Sequence, residues 1–334
     1  MKISAGLWAF GNMADRFATG GYREPLNITE VIGGLTGISG VEFNYSPALP
    51  IGELKSACAE KGLSISSIGV DLFSDPKWKF GALSSEDPNV RQQALEHTYK
   101  VIDLASDAGA LVNVWPGQDG YDYPFQNNYP IRWQNMVESL EKLADYNKSV
   151  KISLEYKPRE PRVHEVPGNM GEALLMVEEA NRRNLGITID VGHSLMVGEG
   201  LSHALSLALS KNKLFHLHLN DNFGLGDDDL AFGVVHRVEF LEMIYWAIKL
   251  GYDGWYSFDV FPYRENPFRT IEVSTKNLLD LYEKAKKLTG VPDTQIGERI
   301  SEVLQGLRRV NPIFQSGIKC LQSYFAFSVV FEPT

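Results

Sequence analysis

The sequence predicts an α/β fold, a (β/α)8 TIM barrel of eight parallel strands with a C-terminal helical extension. Three observations carry that prediction. Eight short apolar runs rich in β-branched residues recur along the chain, and segments with helical spacing separate them. No glycine-rich dinucleotide fingerprint follows the first run, which favours a closed barrel over a doubly wound open sheet. At 334 residues, 44% hydrophobic and 22% charged, the chain is long and apolar enough to bury a large core without staples.

The first strand is expected at 3–10 and its helix at 27–36; the second strand at 40–43 precedes a helix at 49–61. Strands at 65–70 and 110–115 are followed by helices at 88–108 and 130–147. The fifth strand, 150–155, is an apolar run that stops at Ser153-Leu154-Glu155, ahead of a helix at 168–184. The sixth, 186–190, ends Ile187-Thr188-Ile189-Asp190 and leads to a helix at 200–211. In the seventh, 214–218, strand periodicity sets His216 and His218 on one side, and a helix at 236–250 follows. The eighth, 255–259, ends Ser257-Phe258-Asp259 before a helix at 270–288. Long polar loops at 71–87, 116–129 and 156–167 all follow strands, so they belong on the C-terminal face of a barrel, where strand ends converge on one pocket. Residues 1–290 form the expected barrel domain, and 291–334 an extension expected to pack on the barrel or on a neighbouring subunit.

Composition excludes several function classes. With 32 basic against 42 acidic residues the net charge is -10, the wrong sign for a phosphate backbone, so no nucleic-acid partner is expected. Cys58 and Cys320 are too few for a disulfide framework or a cysteine metal site. The start Met1-Lys2-Ile3-Ser4 lacks the apolar run of a signal peptide, and the apolar stretch 324–331 is far short of a membrane span, so a cytoplasmic protein without membrane contact is expected.

The chemistry concentrates at strand ends. Glu155 and Lys157 share one side of a strand edge, an arrangement that a rim salt bridge explains equally well when the pair is taken alone. Glu155, Asp190, His218 and Asp259, however, end four successive strands, and a ring of three hard oxygens and one imidazole suits Mg²⁺, Mn²⁺ or Co²⁺. Just beyond the histidine strand comes Gly226-Asp227-Asp228-Asp229, adjacent acids that repel unless they are hydrated or gather a cation, and His193 stands three residues after Asp190. A second metal site beside the first is the expectation. Trp115 ends the fourth strand and Trp8 lies near the end of the first, both able to face a sugar ring, with Gln118 and Asp119 as polar contacts. Asp221 and Asn222 follow the histidine strand as substrate or orienting groups, and His236 opens the next helix.

Glu155 with Lys157, Asp190 with His193, His218-Leu219-Asn220-Asp221, the Asp227–Asp229 run and Asp259 together resemble the xylose-isomerase-like barrel superfamily, most closely its rhamnose isomerase branch, over roughly residues 1–290. The spacing from His218 to Asp227 is one residue longer than the pattern common there. The resemblance implies that Glu155, Asp190, His218 and Asp259 hold a structural metal that also grips substrate oxygens. It implies a catalytic metal on His193, Asp227 and Asp229, and a contact from Lys157 to the terminal oxygen of the substrate.

It implies, further, an aldose–ketose isomerase with two divalent ions per subunit, Mn²⁺ foremost, assembling as a homodimer or homotetramer. The expected reaction opens the ring, deprotonates the C2 hydroxyl by metal-bound hydroxide near Asp227, and shifts a hydride from C2 to C1 while Lys157 stabilises charge on O1. Catalytic roles thus fall to Lys157, Asp227 and His193, and substrate contacts to Trp8, Trp115, Lys157, His193 and Asp221. A ketose 3-epimerase of the same superfamily is the competing enzyme, though such enzymes carry glutamate where this chain has Asp259. A metal-stabilised sugar-binding barrel without turnover is the competing non-enzyme.

Overall fold

A computed structural model describes residues 1–290, so the extension expected at 291–334 lies outside the described residues. The strands are β1 (Lys2–Gly6), β2 (Gly40–Tyr45), β3 (Ser64–Val70), β4 (Leu111–Val114), β5 (Gly120–Tyr121), β6 (Ile152–Glu155), β7 (Arg159–Glu160), β8 (Val163–Glu165), β9 (Leu185–Asp190), β10 (Leu214–Leu219) and β11 (Trp255–Phe258). The helices are α1 (Ile28–Gly34), α2 (Ile51–Lys61), α3 (Pro88–Ala108), α4 (Tyr129–Tyr146), α5 (Met170–Ala180), α6 (Val191–Val197), α7 (Leu201–Ser210), α8 (Arg237–Lys249) and α9 (Pro267–Thr289). Eight of the strands close a parallel barrel in the order β1-β11-β10-β9-β6-β4-β3-β2.

Local chemistry starts and stops the helices. Asn27 and Glu30 form a reciprocal capping box on α1. Asp87 caps α3 ahead of Pro88, while Asn128, Asn169 and Asn266 cap α4, α5 and α9. Left-handed Gly62 and Gly109 end α2 and α3, a conformation that a side chain would strain.

Strand alternation then sorts the side chains. Val112, Ile152, Leu154, Ile187, Ile189, Leu217 and Leu219 are buried in the apolar layer between sheet and helices. The alternate positions Glu42, Ser153, Glu155, Thr188, Asp190, His216, His218 and Ser257 are buried as well, and they bond to one another around the barrel axis. The register sets His218 of β10 beside Asp190 of β9 and Ser257 of β11, and Glu155 of β6 beside Thr188. The barrel interior is therefore polar, and it carries the site at one end.

Three expectations need correction. The first strand stops at Gly6 and the chain turns through a short 3₁₀ segment, Leu7–Phe10. The Trp8 indole folds back over Gly6, where a Cβ would meet it at 2.2 Å. The loops at 116–129 and 156–167 are not irregular throughout, because β5, β7 and β8 pair as a three-stranded antiparallel sheet above the barrel. Helix α6 has no counterpart among the expected helices: at seven residues it is too short to show a period, and it starts because the Asp190 carboxylate accepts the His193 backbone N–H at 3.0 Å.

Candidate active site

Strand ends and loops converge on a cavity of about 380 Å³ lined by Trp8, Asn44, Gly69, Val70, Phe73, Asn113, Trp115, Glu155, Lys157, Glu160, His193, Asp227, Asp229, Asp259, Phe261 and Tyr263. Asp190 and His218 lie beneath it, 0% and 2% exposed. A cavity of similar size lined by Lys2, Ser66, Lys151 and Trp255 gathers no cluster of metal-ligating groups among the described residues.

The ring expected from the sequence is assembled. Glu155, Asp190, His218 and Asp259 each bring one donor atom within 4.8 Å of the others. His218 Nδ1 stands 3.2 Å from Glu155 Oε1, 3.2 Å from Asp259 Oδ2 and 3.9 Å from Asp190 Oδ2. A second group, Asp190, His193 and Asp227, meets the same condition and shares Asp190 with the first. His193 is held by its other nitrogen, Nδ1 to the Tyr156 carbonyl oxygen at 2.8 Å, which turns Nε2 toward Asp227 Oδ2 at 3.2 Å.

The loop after β10 decides among the three consecutive aspartates. Backbone bonds in both directions between Asp221 and Leu230 close it at its base, at 2.8 and 3.1 Å. Asp228 turns away and accepts the Phe223 backbone N–H, so Asp227 and Asp229 face the cavity. Asp229 lies outside the 4.8 Å group; it is tied to Asp190 instead through Asn220, whose side-chain amide donates to both carboxylates at 3.0–3.2 Å. Gly192 permits this, because a Cβ there would meet Asn220 Oδ1 at 2.5 Å.

Lys157 Nζ sits 2.6 Å from Asp227 and 2.8 Å from Glu160, and 5.0 Å from the centre of the Trp115 ring. Burial disfavours its charge, but Asp227 and Glu160 outweigh burial and hold the ammonium well above its usual range. Trp8 donates its indole N–H to Asp259 at 2.7 Å, stacks on Phe261, and forms the apolar wall expected of it. Trp115 donates to the buried Glu165 at 2.8 Å.

Some expected contacts fall elsewhere. Asp221 is absent from the cavity lining: its carboxylate is 0% exposed and accepts the backbone N–H groups of Val235 and His236 together with His236 Nδ1. It fastens the loop to the start of α8 instead of meeting a substrate. Asp119 is likewise spent on Ala82, Leu83 and Ser84. Conversely, Asn113, which donates to Glu155 at 2.5 Å, and Asn44 and Glu42 escaped the sequence reading, and Asn220 entered it only as part of a motif. Glu42 alone left a signal, a carboxylate interrupting the apolar run Val41-Glu42-Phe43.

The donor set fits a divalent cation. Burial, together with repulsion from Asp227, Asp259 and Glu155, raises the Asp190 carboxyl to about 7 despite His193, and burial with repulsion from Asp227 and Asp259 raises Asp229. Burial opposes charge on His193 and His218, yet the surrounding carboxylates lift His193 to about 9 and hold His218 well above its ordinary range. Protons thus gather where the carboxylates and imidazoles face one another. Asp227 Oδ1, buried, has no hydrogen-bond partner among the described residues. Hard oxygens around two imidazoles, without thiolate, match Mg²⁺, Mn²⁺ or Co²⁺.

Comparison with known proteins agrees with this geometry. Residues 35–281 match the family model described as xylose isomerase-like TIM barrel. The chain is 31% identical over 287 residues to a xylose isomerase from Thermus thermophilus, covering 79% of this chain and 73% of that protein. Among solved structures, an L-ribulose 3-epimerase superposes with a TM-score of 0.67 at 17% identity, covering 86% of this chain and 96% of its own. A D-tagatose 3-epimerase-like protein gives 0.66 at 21% identity, with 85% and 99% covered. These structures share the fold; the family model and the Thermus relative go further, and the chain belongs to the xylose isomerase-like TIM barrel family.

Proposed function

We propose that this protein is a divalent-metal-dependent sugar isomerase that interconverts an aldose and its ketose by moving a hydrogen between C1 and C2. An enzyme acting on a monosaccharide is the broader reading, supported by the sugar isomerase and epimerases among its relatives. The finer reading rests on one observation: His193, Asp227 and Lys157 form a second cluster against the four-residue ring, joined to it by the shared Asp190.

In this reading Glu155, Asp190, His218 and Asp259 hold one ion, and Asp190, His193 and Asp227, with Asp229 alongside, hold the other; Mn²⁺ is the first choice, with Co²⁺ or Mg²⁺ as substitutes. Ions so held polarise neighbouring sugar oxygens and offset the negative charge that grows on them. The chain supplies the rest. Lys157 stays protonated between Asp227 and Glu160 and donates to O1 as charge develops there. Asp227 Oδ1, buried and unpartnered, accepts a hydrogen bond from the C2 hydroxyl and orients it; that hydroxyl loses its proton, a hydride moves from C2 to C1, and the proton released at O2 replaces the one that Lys157 gives to O1. Trp8, Trp115 and Phe261 cover the sugar's C–H face and keep water from the reacting carbons, which favours direct transfer over exchange with solvent.

The test incubates purified protein with Mn²⁺ and a panel of free and phosphorylated aldoses and ketoses in D₂O, following products by NMR, with chelated protein as control. Interconversion of C1 and C2 carbonyl forms with little deuterium gained is expected. Inversion at C3 with deuterium gained identifies an epimerase and overturns the reading; binding without turnover identifies a sugar-binding barrel.

A further inference from the structure

Glu42 lies where no sugar reaches it. It is 1% exposed on β2, outside the cavity lining, and its side chain crosses the barrel axis toward β10 and β11. Three groups converge on its carboxylate. His216 Nε2 stands 2.9 Å from Oε2, His218 Nε2 lies 3.3 Å from Oε1, and the Ser257 hydroxyl donates to Oε1. A carboxylate only accepts, so each imidazole must turn an Nε2–H toward it. A buried carboxylate costs free energy unless donors compensate it, and these three do so.

The consequence for His218 is directional. With an ion bound and Nε2–H donated to Glu42, the lone pair of His218 falls on Nδ1, the atom 3.2 Å from Glu155 and Asp259 and pointed into the four-residue ring. A lone pair facing carboxylates is stable only with a cation among them. His193 is set in the same way by a backbone carbonyl, so the two imidazoles of the site are fixed by different kinds of acceptor, one neutral and one charged.

We propose that Glu42 is a positioning residue that fixes His218 as an Nδ1 ligand and strengthens its hold on a divalent ion in the ring formed with Glu155, Asp190 and Asp259. The proposal rests on the reading that this ring holds a metal. His216 and Ser257 complete the shell of Glu42 and keep it from rotating away.

The experiment measures Mn²⁺ and Mg²⁺ affinity at pH 8 by calorimetry for the wild type, Glu42→Gln and Ser257→Ala, with melting temperatures of the chelated proteins alongside. Glu42→Gln keeps the size of the side chain and loses its charge, and is expected to weaken binding to the ring by about 10- to 100-fold. Ser257→Ala removes one of the three donors that hold Glu42 but leaves its charge and its contact with His218, and is expected to weaken binding less than Glu42→Gln does. If Glu42→Gln binds as tightly as the wild type while its chelated form melts lower, the residue serves core stability alone and the proposal is overturned. A wild type that binds neither ion overturns the underlying reading instead, a distinct outcome. Long-range ¹H–¹⁵N spectra of the Mg²⁺-loaded wild type decide the matter should the variant fail to fold. Protonated Nε2 and bare Nδ1 on His218 are expected, and the opposite tautomer, or a cation displacing the Nε2 protons of both histidines, refutes the assignment.

Discussion

Strands β6, β9 and β10 deliver Glu155, Asp190 and His218 to one side of the cavity, and Asp259 follows directly after β11; across it, β2 and β3 deliver Asn44, Gly69 and Val70. The charged side is cross-braced. Asn113 holds Glu155, Asn220 holds Asp190 and Asp229, Trp8 holds Asp259, and Glu42 reaches His218 from behind. The neutral side is shaped by steric fit: Gly69 leaves room for Asn44, and left-handed Gly117 leaves room for Phe73. Groups that must hold charge at fixed separations need hydrogen bonds to hold them, whereas a wall that meets the carbon skeleton of a substrate needs only volume.

Breaking the charged side is expected to cost most. Asp190→Asn removes the carboxylate common to both clusters, and leaving its buried partners unmatched should lower kcat/KM by about 10³-fold or more. Steady-state kinetics together with metal titration check this; retention of both metal affinities would separate the two clusters. Next in size is a pH effect confined to the metal-free protein. His193 is raised from an ordinary 6.5 to about 9 and Asp190 from 3.8 to about 7, so the folded state binds protons that the unfolded state releases. The stability this contributes is complete below the unfolded value of each group and is lost as pH rises through its folded value. The melting temperature of chelated protein is therefore expected to fall from about pH 4 to 7 as Asp190 loses its proton and on to about pH 9 as His193 does, while the Mn²⁺-loaded protein, whose ligands carry a metal in place of protons, does not follow it. Smallest is the neutral side: Gly69→Ala places a Cβ 2.0 Å from Asn44 Oδ1 and should displace that amide, changing KM among sugars by about tenfold or less with kcat nearly unaltered. A collapse of kcat instead would make the wall part of the chemistry.

Much of the charged side was legible in the sequence, for a physical reason. Apolar runs that end abruptly at Glu155, Asp190 and Asp259 mark strand ends, and the alternation of His216 with His218 marks the face turned to the axis. The eight barrel strands are each found within a few residues of expectation, the first being shortened by the fold of Trp8 over Gly6. What escaped depends on contacts distant in the chain. Glu42 lies 176 residues from His218, and Asn113 lies 42 from Glu155 and 75 from Thr188, distances over which no local period operates. Asp221 falls outside the cavity lining for a related reason. Its place after the histidine strand suggests a group that meets substrate or orients the histidine, but its side chain is claimed by backbone N–H groups at 235 and 236. The sheet of β5, β7 and β8 is built from two- and three-residue strands, too short to register as alternation.

Lys157 is the sole lysine or arginine lining the cavity among the described residues, and both of its close carboxylate partners, Asp227 and Glu160, already claim it. A sugar phosphate would bring further negative charge to a chamber whose walls include Glu155, Glu160, Asp227, Asp229 and Asp259, and no uncommitted cation waits for it there. On the reading proposed above, the chamber suits an uncharged sugar better than its phosphate ester. That reading would have the sugar isomerised before it is phosphorylated, and among the substrates offered to the protein the phosphate esters are expected to be left unconverted.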